Sequence, residues 1–168
     1  MKFPMQSVAI PVVRPSLRAR GGFTLIELLI VTTIIALLTG IGVASYNNFN
    51  QKSIDRSTAK ELMNNLRLAQ TNARLGRKDP SCTAPLSGWQ VVFPAGNTSY
   101  QIEGVCGATT FGLKTFSLPT GVTIAGSNFM FVALSGKTNE ANDLTITVTG
   151  TSLILHVSVS TAGEIRLF

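Results

Sequence analysis

The chain has little of what catalysis draws on. Its 168 residues include one histidine, two cysteines and one tryptophan. His156 stands alone in a strand-like run, so no Ser/His/Asp or Cys/His arrangement can be built around it. There is no phosphate-binding Walker loop, no dinucleotide glycine fingerprint and no HExxH pair. Two cysteines and one distant histidine do not make a recognisable zinc set. The expectation is therefore a protein that is not an enzyme and uses no cofactor and no metal. Acid is scarce as well: none occurs before Glu27, and Glu27 is the sole charged residue from Phe23 to Ala44. Proline is missing between Pro15 and Pro80, so nothing in that interval breaks a helix outright.

What fills this interval is a membrane-length apolar run. Phe23 to Ala44 is 22 residues, which as a helix spans about 33 Å, enough to cross a hydrocarbon core. An export signal of the ordinary kind has a shorter apolar region and a small-residue cleavage site after it. Here the run is too long and no such site ends it. Lys2, Arg14, Arg18 and Arg20 precede it, and the positive-inside rule then keeps the N-terminus cytoplasmic and exports the C-terminal bulk. These four residues also account for most of the formal charge of +6. Residues 23–168 carry ten basic and eight acidic side chains, a net +2, which weakens any case for nucleic-acid binding from charge alone. The short stretch Val8–Val13 is broken by Pro11 and is no membrane helix.

Gly22-Phe23-Thr24-Leu25-Ile26-Glu27, followed by Leu28-Leu29-Ile30-Val31, resembles the class III signal of type IV pilins and type II secretion pseudopilins. The resemblance implies that residues 1–22 are a leader. A prepilin peptidase would cut on the cytoplasmic side between Gly22 and Phe23 and N-methylate Phe23. It also implies that Glu27 pairs with the amino terminus of a neighbouring subunit during fibre assembly. A carboxylate in hydrocarbon is costly unless it meets a positive charge, and a freshly cut N-terminus supplies one. The implied partners are the peptidase, other pilin or pseudopilin subunits, the inner-membrane assembly platform and, before assembly, membrane lipid. The implied location is the inner (cytoplasmic) membrane as a single-pass protein with its head outside, then a periplasmic or extracellular fibre. Gly40 and Gly42 mark either a place where the helix unwinds on packing or a close helix contact through small residues.

From Ser45 to about Leu75 the pattern is amphipathic. Leu62, Leu66, Ala69 and Ala73 recur at the spacing of one helical face, with Met63 widening the stripe. Lys60, Glu61, Asn64, Arg67, Gln70 and Arg74 fall mainly elsewhere. Gly76 and Pro80 stop the helix, and the basic run Arg74, Arg77, Lys78 suits its C-terminal dipole. One helix is thus expected from about Phe23 to Leu75.

From Ser81 onward short β-favouring runs alternate with turn residues. Strands are expected near Gly88–Phe93, Ser99–Val105, Leu113–Leu118, Phe129–Leu134, Leu144–Thr149, Ser152–Ser158 and Glu164–Phe168. Gly96-Asn97 and Thr149-Gly150-Thr151 read as turns, and Leu153, Leu155, Val157 and Val159 as core-facing. Trp89 and Phe93 are expected to fill the core. The predicted fold class is α+β: a long N-terminal helix packed on a β-rich antiparallel head, with residues 23–44 as transmembrane and fibre-core helix and 45–168 as one small globular head, made of the amphipathic helix 45–75 and β-sheets over 81–168.

An exported head sits on the oxidising side of a membrane, so a Cys82–Cys106 disulfide is expected, two unpaired thiols being the alternative. Thr138-Asn139-Glu140-Ala141-Asn142-Asp143 offers oxygen ligands. Major pseudopilins often hold calcium in a C-terminal loop, but this spacing matches no EF-hand and a plain turn is the expectation. The order of head motifs is similar to H-type pseudopilins and FimT/FimU-type minor pilins. Some FimT-like proteins bind DNA through a Gly-Arg-x-Arg motif. The matching residues here are Gly163-Glu164-Ile165-Arg166; only the glycine and last arginine fit, and Glu164 would repel phosphate. Arg166 is the one candidate DNA contact.

Overall fold

The computed structural model describes residues 22–168, with the side chains of residues 41–44 excepted. The expected leader, short of its last residue, and the surroundings of Gly42 lie outside the described residues. The first element is helix α1, Leu25–Arg74. The chain divides into two compact units, one up to Ile41 and one from Gly42 to Phe168.

In the first unit every described residue from Gly22 to Gly40 is exposed. So largely apolar an exposed helix surface suits an apolar medium. The mean hydropathy of its best 18-residue window is 2.3, and α1 is the one helix among the described residues long and apolar enough to cross a membrane. Helical structure continues through Gly40, which has no neighbouring atom within 4 Å of the place a Cβ would occupy.

The second unit is built on the amphipathic half of α1. Ala59, Leu62, Leu66, Ala69 and Ala73 are buried to within 1 % of completely. They form the expected stripe, extended by one turn toward the N-terminus. Burying a leucine of this kind stabilises by about 1.5–3 kcal/mol. Three polar residues share the face, Asp55 at 1 % exposure, Thr58 at 5 % and Gln70 at 8 %. Gln70 is thus not on the solvent side, for reasons given below. The helix ends where expected. Gly76 takes φ +61°, its N–H donates to Ala73 O and that of Arg77 to Asn72 O, the paired bonds of a Schellman cap.

Eight strands follow: β1 (Leu86–Val92), β2 (Ser99–Cys106), β3 (Thr109–Ser117), β4 (Thr123–Ala125), β5 (Phe129–Val132), β6 (Leu144–Thr149), β7 (Ile154–Val159) and β8 (Ile165–Leu167). They form two antiparallel four-stranded sheets, with orders β3-β2-β1-β5 and β4-β6-β7-β8. The sequence predicts seven of these strands. The eighth, β4, is three residues long and carries no period of its own. The core cluster joins the helix stripe to Val91, Tyr100, Ile102, Phe129 and Phe131 of the first sheet. From the second it takes Ile124, Ile146, Val148, Val157, Val159 and Ile165. Trp89, Phe93 and Leu155 are half-buried against it, as the strand alternation requires.

Candidate functional site

The described residues place the expected processing segment at a helix boundary. Gly22, Phe23 and Thr24 are non-helical, and Phe23 is 81 % exposed. Thr24 is the N-cap: its Oγ1 accepts the Glu27 N–H at 3.2 Å, and its carbonyl accepts that of Leu28 at 3.2 Å. Thr-x-x-Glu is the sequence pattern of a capping box, a signal that the apolar run itself obscured. Glu27 therefore occupies the third helical position, where the helix dipole favours an anion. The cap stops the helix from extending back over the Gly22–Phe23 bond. That bond lies in exposed backbone, and no atom stands within 4 Å of the Cβ position at Gly22.

Three threonines interrupt the apolar surface. The hydroxyls of Thr32 and Thr33 donate to Leu29 O at 3.0 and 2.8 Å, and that of Thr39 to Ile35 O at 2.7 Å. Each is satisfied by its own helix, the arrangement a hydrocarbon environment demands.

The head brings some predicted residues together and leaves others apart. Cys82 and Cys106 form a disulfide with Cα atoms 6.0 Å apart, tying the segment after α1 to the end of β2. Arg166 does not stand free. Its guanidinium pairs with Glu164 at 2.7 Å, so the candidate DNA contact is neutralised by the residue that breaks the motif. His156 Nδ1 meets Thr147 Oγ1 at 3.2 Å across the β6–β7 pair, and its ring lies against Phe168. In the polar loop Thr138–Asp143, Asn139 Oδ1 accepts the Met130 N–H and Asp143 Oδ1 that of Thr161. These oxygens brace strands. Among the described residues no three of His, Cys, Asp and Glu cluster.

Two residues that sequence reasoning did not single out fasten the helix to distant turns. Asp55 Oδ2 accepts the N–H groups of Ser152 and Leu153, each at 2.9 Å. Those two residues consequently belong to the β6–β7 turn, not to a strand beginning at Ser152. Asp55 Oδ1 is buried with no hydrogen-bond partner, and the Cβ of any side chain at Gly150 would stand 2.1 Å from it. The Asp55 carboxyl thus fills the space a side chain at Gly150 would need. Gln70 Nε2 donates to Gly136 O at 2.9 Å and to Gly163 O at 2.5 Å, joining the loop after β5 to the turn before β8.

Comparison with known proteins agrees with the front of the chain. Residues 17–43 match the family described as the prokaryotic N-terminal methylation motif. No curated protein and no solved structure matches the chain. A methylation motif opening an apolar helix, followed by an antiparallel α+β head, is a pilin-like architecture. The motif supports placing this chain in the type IV pilin-like family, as a protein processed by a prepilin peptidase and suited to a structural part in assemblies with other pilins. The apolar helix and the motif together fit membrane anchoring before assembly into a fibre.

Proposed function

We propose that the protein is a minor pilin or pseudopilin, a structural subunit of a type IV pilus or of a type II secretion pseudopilus. Residues 1–22 are the leader, 23–44 the membrane and fibre-core helix, and 45–168 the head. The peptidase cuts between Gly22 and Phe23 and methylates the Phe23 amine. The uncut protein spans the inner membrane with its N-terminus in the cytoplasm, and the disulfide supports an exported head. One observation carries the reading: the methylation motif covers the capped start of a largely apolar helical segment whose sole acid stands one turn from the new N-terminus. In a stack of such helices Glu27 gains a counter-charge from the amine of a neighbour and loses it when the register slips.

Mass spectrometry of the mature chain after coexpression with a prepilin peptidase tests this. The expected product begins at N-methyl-Phe23, and Gly22→Leu stays uncut. An unprocessed wild-type chain, or one cut after the apolar run, would overturn the assignment. The alternative of a DNA-binding minor pilin rests on Arg166, and the Glu164 ion pair favours the structural role over it.

A further inference from the structure

The head carries an open groove of about 350 Å³ lined by α1, β1, β2 and β3. Leu68, Trp89, Ile102, Phe111 and Phe116 supply its apolar surface. The rings are fixed before any ligand arrives. Trp89 and Phe111 meet edge to face with centroids 5.6 Å apart, and Phe116 stacks on the buried Tyr100 at 5.0 Å. The Trp89 indole N–H donates to Arg77 O at 3.1 Å, anchoring the segment after the helix. Leu68 is 49 % exposed, an apolar side chain with nothing over it.

The groove's charge is net positive. Arg77, Lys78 and Lys114 line it, and the sole ion pair among the described residues is Arg166–Glu164, so none of the three has a carboxylate partner. One acid, Asp79, also lines it and keeps its negative charge, so the lining is three cations against one anion. The Ser81 hydroxyl and N–H donate to its Oδ1 at 2.6 and 2.9 Å, and these bonds lower its pKa. The Asn72 carboxamide also lines the groove and has no hydrogen bond among the described residues, leaving it able to meet a peptide group.

We propose that this groove docks an extended peptide segment of a partner protein, one bulky apolar side chain seated between Leu68 and the aromatic wall with acidic residues on either side. The volume lies at the small end of ligand sites and takes one large side chain. Three cations against one carboxylate around a single pit match a short acidic segment. They do not form the track along which a nucleic acid strand stacks base after base. This proposal stands whether or not the fibre reading does.

Trp89 is the sole tryptophan of the chain and reports occupancy directly. The full-length protein in phosphatidylcholine vesicles is titrated with the capped peptide Ac-Ser-Asp-Asp-Phe-Asp-Ser-NH2, which has no fluorescence at the tryptophan wavelengths. A saturable shift of Trp89 emission is expected. It should weaken about fivefold in Lys114→Gln and in 0.5 M salt, since exposed charges are screened. It should vanish in Leu68→Glu, which places an acid in the wall. Both substituted side chains are exposed, and circular dichroism checks that the variants keep the wild-type fold. No saturable shift, an equal response to the peptide with Asn in place of Asp, or tighter binding of oligothymidylate would each overturn the proposal.

Discussion

Asp55 and Gly150 make a two-residue joint whose energetics can be worked out in advance. Asp55→Ala removes two charge-assisted acceptor contacts to the N–H groups of Ser152 and Leu153, and each such bond is worth about 1.5–3 kcal/mol. Both donors are partly buried, so the lower end applies and the expected loss is about 3 kcal/mol. Gly150→Ala acts on the same joint from the other side. Its methyl would stand 2.1 Å from Asp55 Cγ and Oδ1, and the carboxylate must retreat by over 1 Å to reach ordinary contact. The backbone at Gly150 does not have a positive φ, so the cost is contact and lost bonds rather than strain, about 2–3 kcal/mol. In the double variant the shortened residue 55 makes room for the methyl. Its cost should be about 3 kcal/mol, not the sum of about 5–6, leaving a coupling of about 2–3 kcal/mol. Thermal unfolding followed by circular dichroism measures this, at roughly 4 °C per kcal/mol for a head of this size. Additive losses, or single losses under about 1 kcal/mol, would refute the joint.

Three further outcomes are expected. Cys82→Ser with Cys106→Ser frees the loop between them and should lower head stability by about 3 kcal/mol, read as a lower denaturant midpoint; an unchanged midpoint would remove the disulfide from the stability argument. Burial, against a smaller opposing effect of the Asn65 hydrogen bond, raises the Tyr100 phenol to about 12. A pKa raised on folding contributes stability that is complete below the unfolded value near 10 and is lost as pH rises toward 12, by up to about 1.4 kcal/mol per pH unit. Denaturation midpoints across that window should therefore fall more steeply for wild type than for Tyr100→Phe, and parallel curves would contradict the burial argument. Glu27→Ala should still be cut and methylated but enter fibres at a small fraction of the wild-type level. Normal incorporation would count against the pairing role.

The helix stripe was open to sequence reasoning because Leu62, Leu66, Ala69 and Ala73 repeat at the period of the element that carries them. Strand alternation did the same for Leu155, Val157 and Val159. Asp55 and Gln70 occupy stripe positions too, yet a polar residue on an apolar face looks like an interruption. Its burial makes sense only once turns some 66 to 98 residues away bring backbone N–H and C=O groups to it. The strand order of the two sheets was hidden for a related reason: each strand shows its own period, but which strands are neighbours is settled by core packing. The pairing of Arg166 with Glu164 was half legible, since the acid was visible as a repulsion to phosphate but not as a partner for the arginine.

The threonines at positions 32, 33 and 39 turn their hydroxyls back onto the helix and leave only methyl and methylene groups on the outside. A helix so finished is indifferent to which greasy neighbour it has. It can leave a sheath of acyl chains and enter a bundle of like helices with no hydroxyl needing a fresh acceptor on the way. On the proposed reading the distinction between the two settings falls to electrostatics at a single point, the Glu27 carboxylate, which would find water and headgroups in one and a neighbour's ammonium in the other.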